Sequence, residues 1–321
     1  MREEFFKALM IRSFIKVSRR LWAEAIDDWR AILAIDPTHQ RAKNNILYAL
    51  ITLGYSYAEH ELNKEAMELW ERASQMNPDR VDLLHNLAIV CERSEMREQA
   101  TRYWQETLKR WQVQLDREPD NPYLRNLIIE VHRYLGGQTA QTGEKDAPKS
   151  IEEYQEILKI NPNDFEAQYK IATAFYEKQR WEEATRALTN LSRQYPKNIE
   201  VLNMLGWALI NSGHPEPAFQ TWNRSLTIDS KNHNTREAII KARMSMGKVF
   251  RSRGMHTQSL VNFKALLRFI PKSPEVYMEI GQTYMFKGDK RSAAQAFTMV
   301  LKLDPKNRAA KQYLSDMKLR T

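Results

Sequence analysis

The stretch ITLGYSYAEHELNKEAMELWERASQMNP, Ile51 to Pro78, decides how the whole chain is read. With Leu47 taken as position 1, Gly54 falls at position 8, Tyr57 at 11, Ala66 at 20, Trp70 at 24, Ala73 at 27 and Pro78 at 32. Small residues at 8 and 20 let two helices touch closely, and large residues at 11 and 24 fill the space beside them. Proline at 32 ends the second helix because it cannot continue the hydrogen-bond ladder.

The same ruler fits along the chain. From Pro274 it gives Ile280, Gly281, Tyr284, Ala293, Phe297 and Pro305; from Ile199, Leu205, Gly206, Ala218 and Trp222, with Ser230 in the proline place. From Ile240 it gives Gly247, Phe250, Phe263 and Pro271; from Phe165, Ala172, Phe175, Ala184, Leu188 and Pro196; from Val81, Ala88, Cys91, Ala100 and Trp104. This pattern resembles the tetratricopeptide repeat, W-x2-L-G-x2-Y…A-x3-F…P over 34 residues. The resemblance covers nearly the whole chain. It implies an all-α fold, a right-handed solenoid in which each helix pair is stable only beside its neighbours.

The closing positions 37, 78, 119, 162, 196, 230, 271 and 305 are separated by 41, 41, 43, 34, 34, 41 and 34 residues. Seven extra residues make nearly two helical turns, so such an insertion lengthens a helix and keeps its buried face almost in phase. The additions are placed in 40–46, in the second helix near Trp111, and in 233–239. The polar, Gly-containing 136–149 segment reads instead as a surface loop. The expected array spans residues 1–321 as about eight helix-turn-helix units, near 6–39, 47–80, 81–121, 122–164 (with the loop 136–149), 165–198, 199–232, 240–273 and 274–307, closed by a capping helix at 308–320.

Composition agrees with a helical, non-secreted protein. Glycine and proline are scarce, at 10 and 12 of 321 residues. The one cysteine, Cys91, allows no internal disulfide. No apolar run approaches the roughly 20 residues that span a bilayer, and the first twenty residues lack the apolar core of a signal peptide. A cytoplasmic protein is expected. The net charge of +9 is local: residues 231–272 hold ten Lys or Arg and one acid, Glu237, and the rest is balanced at 39 against 39.

Catalytic motifs are absent: there is no phosphate-binding GxxxxGK[ST], no GxSxG and no HExxH. The seven histidines are scattered, and no metal or cofactor is implied. Cys91 stands at an aromatic core position and reads as a packed thiol. Trp29, Trp70, Trp104 and Trp222 take position 24, and Trp22 and Trp181 position 17, all as core.

The family resemblance implies that first-helix positions 2, 5, 9, 12 and 13 line a concave groove. Carried over, these include Tyr48, Tyr55, His85, Tyr123, Tyr169, Tyr176, Asn203, Trp207, Lys241, Met244, Lys248, Arg251, Met278, Met285 and Phe286. A groove facing only water would be mostly charged; this one is rich in Tyr, Trp and Met, as recognition surfaces are. Lys241, Lys248 and Arg251 share a helix face and suit an acidic peptide, a carboxylate or phosphate. The co-chaperone members' carboxylate clamp is missing, because Ile51, Tyr55, Tyr123 and Leu127 stand where its polar and basic residues would be.

The expected function is a non-catalytic protein–protein scaffold that binds a peptide, helix or acidic segment in the groove. An RNA-binding helical repeat is the alternative. Charge confined to one repeat speaks against nucleic acid. The first helix, with Phe5, Phe6, Leu9, Met10, Phe14, Ile15 and Val17 beside Arg12, Lys16, Arg19 and Arg20, either packs on its partner helix, lies on an anionic membrane, or docks a second copy.

Overall fold

The computed structural model describes residues 2–141 and 147–318, and among these it has seventeen α-helices and no strand. Where the spacing suggests one array, the chain divides into two compact units, 1–162 and 163–321. The boundary is Pro162, the closing proline of the fourth repeat. The first unit holds α1 (Arg2–Ser18), α2 (Trp22–Ile35), α3 (Gln40–Glu59), α4 (Asn63–Met76), α5 (Val81–Arg93), α6 (Arg97–Arg117), α7 (Pro122–Gln141) and α8 (Ala147–Ile160). The second holds α9 (Phe165–Glu177), α10 (Trp181–Gln194), α11 (Ile199–Asn211), α12 (Pro215–Ile228), α13 (His233–Ser252), α14 (His256–Leu266), α15 (Pro274–Phe286), α16 (Lys290–Leu303) and α17 (Arg308–Lys318).

The glycine at position 8 and the aromatic at position 24 meet within each pair. At Gly54 a side-chain carbon would overlap the indole of Trp70; at Gly206 it would overlap Trp222, at Gly247 Phe263 and at Gly281 Phe297. The bare backbone also leaves a carbonyl in reach: Trp70 Nε1 donates to Ile51 O and Trp222 Nε1 to Asn203 O, each at 3.3 Å. Position 8 is Ser13 opposite Trp29 and Ala88 opposite Trp104. Both of those indole nitrogens are buried without a hydrogen-bond partner.

The two helices of a pair turn at position 15 through a left-handed residue. Gly213, Gly254 and Gly288 supply it at φ 84°, 73° and 83°, but Arg20, Glu61, Glu95 and Gln179 adopt φ near 60° with a side chain in place. Such a residue carries about 1–2 kcal/mol of strain that glycine avoids, offset by glycine's greater chain entropy. Glu61→Gly is therefore expected to stabilise the first unit by a few tenths to about 1 kcal/mol, read as a raised urea midpoint.

Entry to the next pair is capped two residues beyond the closing proline. Asp164, Asn198, Asn232 and Ser273 accept from the backbone N–H three residues on, at 2.9–3.3 Å. Each such cap contributes about 1 kcal/mol.

The seven-residue insertions lengthen single helices. α3, α6 and α13 have 20, 21 and 20 residues, against 13 in α5, α9, α11 and α15. The expected loop over 136–149 is corrected: α7 continues as helix to Gln141 and α8 begins at Ala147, while residues 142–146 lie outside the described residues. The cause is local packing. Gly136 lies against the Tyr154 ring, and Ser150 Oγ donates to Gly136 O at 2.8 Å, so α8 covers the backbone where other pairs turn.

α1 packs only in part. Leu9 and Ser13 are buried and Phe6, Met10 and Val17 line the same core, but Ile11, Phe14 and Ile15 face outward. Its basic residues turn toward α2: Asp28, 3% exposed, accepts from Arg12 Nη2 at 2.5 Å and Lys16 Nζ at 3.1 Å.

Candidate functional site

The first helices carry the residues that the resemblance assigns to a groove, and the two units treat them differently. In the first unit the tyrosines are open. Tyr48 is 63% exposed, Tyr55 44% and Tyr123 72%. These rings nevertheless have fixed neighbours. Tyr48 lies 6.0 Å from Trp22, and Tyr55 stands edge-on to Trp70 at 5.3 Å. Asn86, on the next first helix, donates its amide to the Tyr55 hydroxyl at 2.7 Å. Below this pair is a cavity of about 220 Å³ with Tyr55, Trp70, Asn86, Ile89, Val90 and Arg93 in its wall. His85 is half-buried between Trp104 and Trp111, at 5.4 and 5.3 Å, and burial lowers its pKa. It stays neutral and packs; it is no open recognition group.

In the second unit most of the corresponding residues are engaged. Tyr169 donates to Glu200 Oε1 at 2.7 Å and touches Met204, and burial followed by the Glu200 contact pushes its pKa up to about 12. Tyr176 packs edge-on against Trp181 at 5.3 Å. Asn203 accepts from Thr235 Oγ1 at 2.7 Å, and Trp207 packs edge-on against Trp222 at 5.3 Å. Met244 joins the core around Phe263, and Met278 and Met285 the core around Phe297.

The basic trio does not stand free. Lys248 Nζ lies 3.2 Å and Arg251 Nη1 2.6 Å from the Glu279 carboxylate of α15, itself 9% exposed. Lys248 also reaches Glu275 at 3.9 Å. Lys241 is exposed, with its ammonium 5.9 Å from the Trp207 ring centre. An acidic partner would have to displace Glu279, so the expected charge selection is corrected to internal pairing between repeats. Arg243, expected on the surface, is half-buried, with its guanidinium 3.9 Å from the Phe219 ring; burial lowers its pKa. Glu279→Gln leaves Arg251 short of its counter-charge. It is expected to lower the second unit's stability by about 1–3 kcal/mol in chemical denaturation.

The sequence reading missed Glu279 and gave Asn86 no groove role. Both obey one interval: Tyr55–Asn86, Tyr169–Glu200, Lys248–Glu279 and Gln282–Tyr313 each pair residues 31 apart. Position 9 of one repeat meets position 6 of the next, or position 5 meets position 2 of the next.

Cys91 is buried, 3.6 Å from Met67 Sδ, and burial pushes its thiol up to about 11. It is a packed thiol that does not ionise near neutral pH. Among the described residues no group of three or more His, Cys, Asp or Glu is placed to hold a metal. No helix among them is long and apolar enough to cross a membrane.

Two family models, each described as tetratricopeptide repeat, match this chain, one over residues 141–208 and the other over 274–307. A curated relative, the general transcriptional corepressor trfA of Dictyostelium discoideum, is 27% identical over 183 residues, which is 57% of this chain and 10% of that protein. The chain thus matches about a tenth of that relative's length. Among solved structures, a TPR-repeat protein of Bacteroides fragilis is 13% identical, with a TM-score of 0.46 over 60% of this chain and 99% of the other. YrrB, described as a TPR protein with an unusual peptide-binding site, is 17% identical, with a TM-score of 0.36 over 63% of this chain and 96% of the other.

Proposed function

Because this chain is a tetratricopeptide-repeat protein, we propose that it is a non-catalytic scaffold that holds an extended or helical segment of another protein against the first helices of residues 1–162. The observation that carries this reading is the open tyrosine surface: Tyr48, Tyr55 and Tyr123 are exposed, and Tyr55 is fixed by Asn86 above a cavity with room for one large side chain. Rigid rings with polar tips give contact area at little entropic cost. The bound segment is anchored by an apolar or aromatic side chain in that cavity. A strong acidic character is not required of it, since Lys248 and Arg251 are already paired. A cytoplasmic setting and a place in a larger assembly belong to the same proposal.

Selection of a displayed random-peptide library on the full chain tests it. Enriched peptides should share one large apolar residue and lose at least tenfold in affinity on Tyr55→Ala, with Lys241→Glu neutral. Failure to enrich any sequence, or dependence on Lys241 alone, contradicts it.

A further inference from the structure

The basic block that sequence places at residues 231–272 is largely consumed inside the fold: Arg236, Lys241, Arg243, Arg251 and Lys264 lie near aromatic rings, and Lys248 and Arg251 pair with Glu279. Beyond that block, residues 273–311 hold seven Lys or Arg and four acids. Glu275 and Glu279 face Lys248 and Arg251; Asp289 caps α16 by accepting from Ser292 N–H at 3.0 Å and stays anionic beside Lys287 and Arg291; Asp304 accepts from Lys306 N–H at 3.2 Å. Neither α14 nor α16 contains an acidic residue.

The outward positions of α16 and α17 carry cations. Lys290, Arg291 and Lys302 on α16, and Arg308 and Lys311 on α17, are all exposed, as is the one acid of α17, Asp316. α16 and α17 are neighbours: Ala310 and Met317 of α17 pack with Phe297 and Val300 of α16. Their solvent faces adjoin, whereas α14 joins the core of Ala296 together with Val276 and Ile280 of α15. At the rim of the α16 and α17 surface Phe286 is 69% exposed and lies parallel to the His256 ring, 6.3 Å between centres and 13° between planes. Lys287, Lys290 and Arg291 follow within five residues.

We propose that this outer surface of α16 and α17 binds single-stranded nucleic acid, with its cations along the phosphates and Phe286 as a stacking platform for a base. α16 carries no acid and α17 one, the exposed Asp316; a face with this excess of cations gains affinity by releasing counterions from a polyanion. An open aromatic beside it is what single-strand recognition uses. A membrane would need an apolar stripe on the same face, and the outer positions of α16 (Lys290, Arg291, Gln295, Thr298 and Lys302) have none. The proposed peptide groove is separate from this site.

Fluorescence anisotropy of the full chain with a labelled single-stranded oligouridine tests it. Binding should weaken about 50-fold between about 50 and 200 mM salt, as roughly four phosphate contacts require. Phe286→Ala should weaken it by about 5- to 100-fold. Lys290→Glu/Arg291→Glu/Lys302→Glu should abolish it with circular dichroism unchanged, and Tyr55→Ala should leave it intact. The proposal is overturned if the oligonucleotide does not bind at low salt or if neither variant changes binding. It also fails if polyglutamate or anionic vesicles bind as tightly with no dependence on Phe286.

Discussion

Replacing Gly206 with alanine is expected to cost the second unit about 2–5 kcal/mol, although the change adds one carbon. The added carbon would overlap the indole of Trp222, which is fully buried. Overpacking of this kind costs about 1–3 kcal/mol. If the indole shifts away to relieve it, Trp222 Nε1 loses Asn203 O, and a buried donor left unpaired costs about 1–3 kcal/mol more. The chain contains the comparison already: opposite Ala88 the Trp104 nitrogen is buried and unpartnered. Gly137→Ala is the control. It lies inside α7 with open space around it, and alanine there should stabilise the helix by about 0.5–1 kcal/mol. Hydrogen exchange of α11 and α12, compared with the urea midpoint, would separate the two effects. Equal, small changes at both glycines would show that the glycine–aromatic contact does not hold the pair together.

Asp28→Asn is expected to loosen α1 by about 1–3 kcal/mol at neutral pH and to have little effect near pH 2. Burial, the largest single influence, raises the Asp28 carboxyl, but hydrogen bonds and charge from Arg12 and Lys16 together outweigh it and hold the group below its ordinary value. A carboxyl whose folded pKa is depressed contributes stability fully above its unfolded value, near 4, and loses it as pH falls through the lower folded value. Wild type and variant should therefore converge in acid. Because α1 buries only Leu9 and Ser13 fully, the loss should appear first as faster amide exchange in α1. A difference independent of pH would assign the effect to packing instead.

The fold was legible because its determinants are local and repeated. Gly206 sixteen residues before Trp222, and Gly281 sixteen before Phe297, state a contact within one helix pair. An insertion of seven residues states a longer helix. The 136–149 segment misled because glycine and polar residues mark a turn only where nothing covers the backbone, and at Gly136, where other pairs turn, Tyr154 and Ser150 cover it. The groove was less legible, since position on a helix does not say whether the next repeat occupies the side chain. Tyr48 is open, whereas Tyr169 is held by Glu200 and Lys248 by Glu279, contacts made 31 residues away.

Photo-crosslinking from single positions of the full chain in cells tests the central claim most directly. Benzoylphenylalanine would replace Tyr48, Tyr123, Met278 or Met285 in turn. The expected result is one protein adduct of common mass from positions 48 and 123 and none from 278 and 285. Adducts arising from 278 and 285, with none from 48 and 123, would contradict a recognition surface built on the tyrosines of residues 1–162.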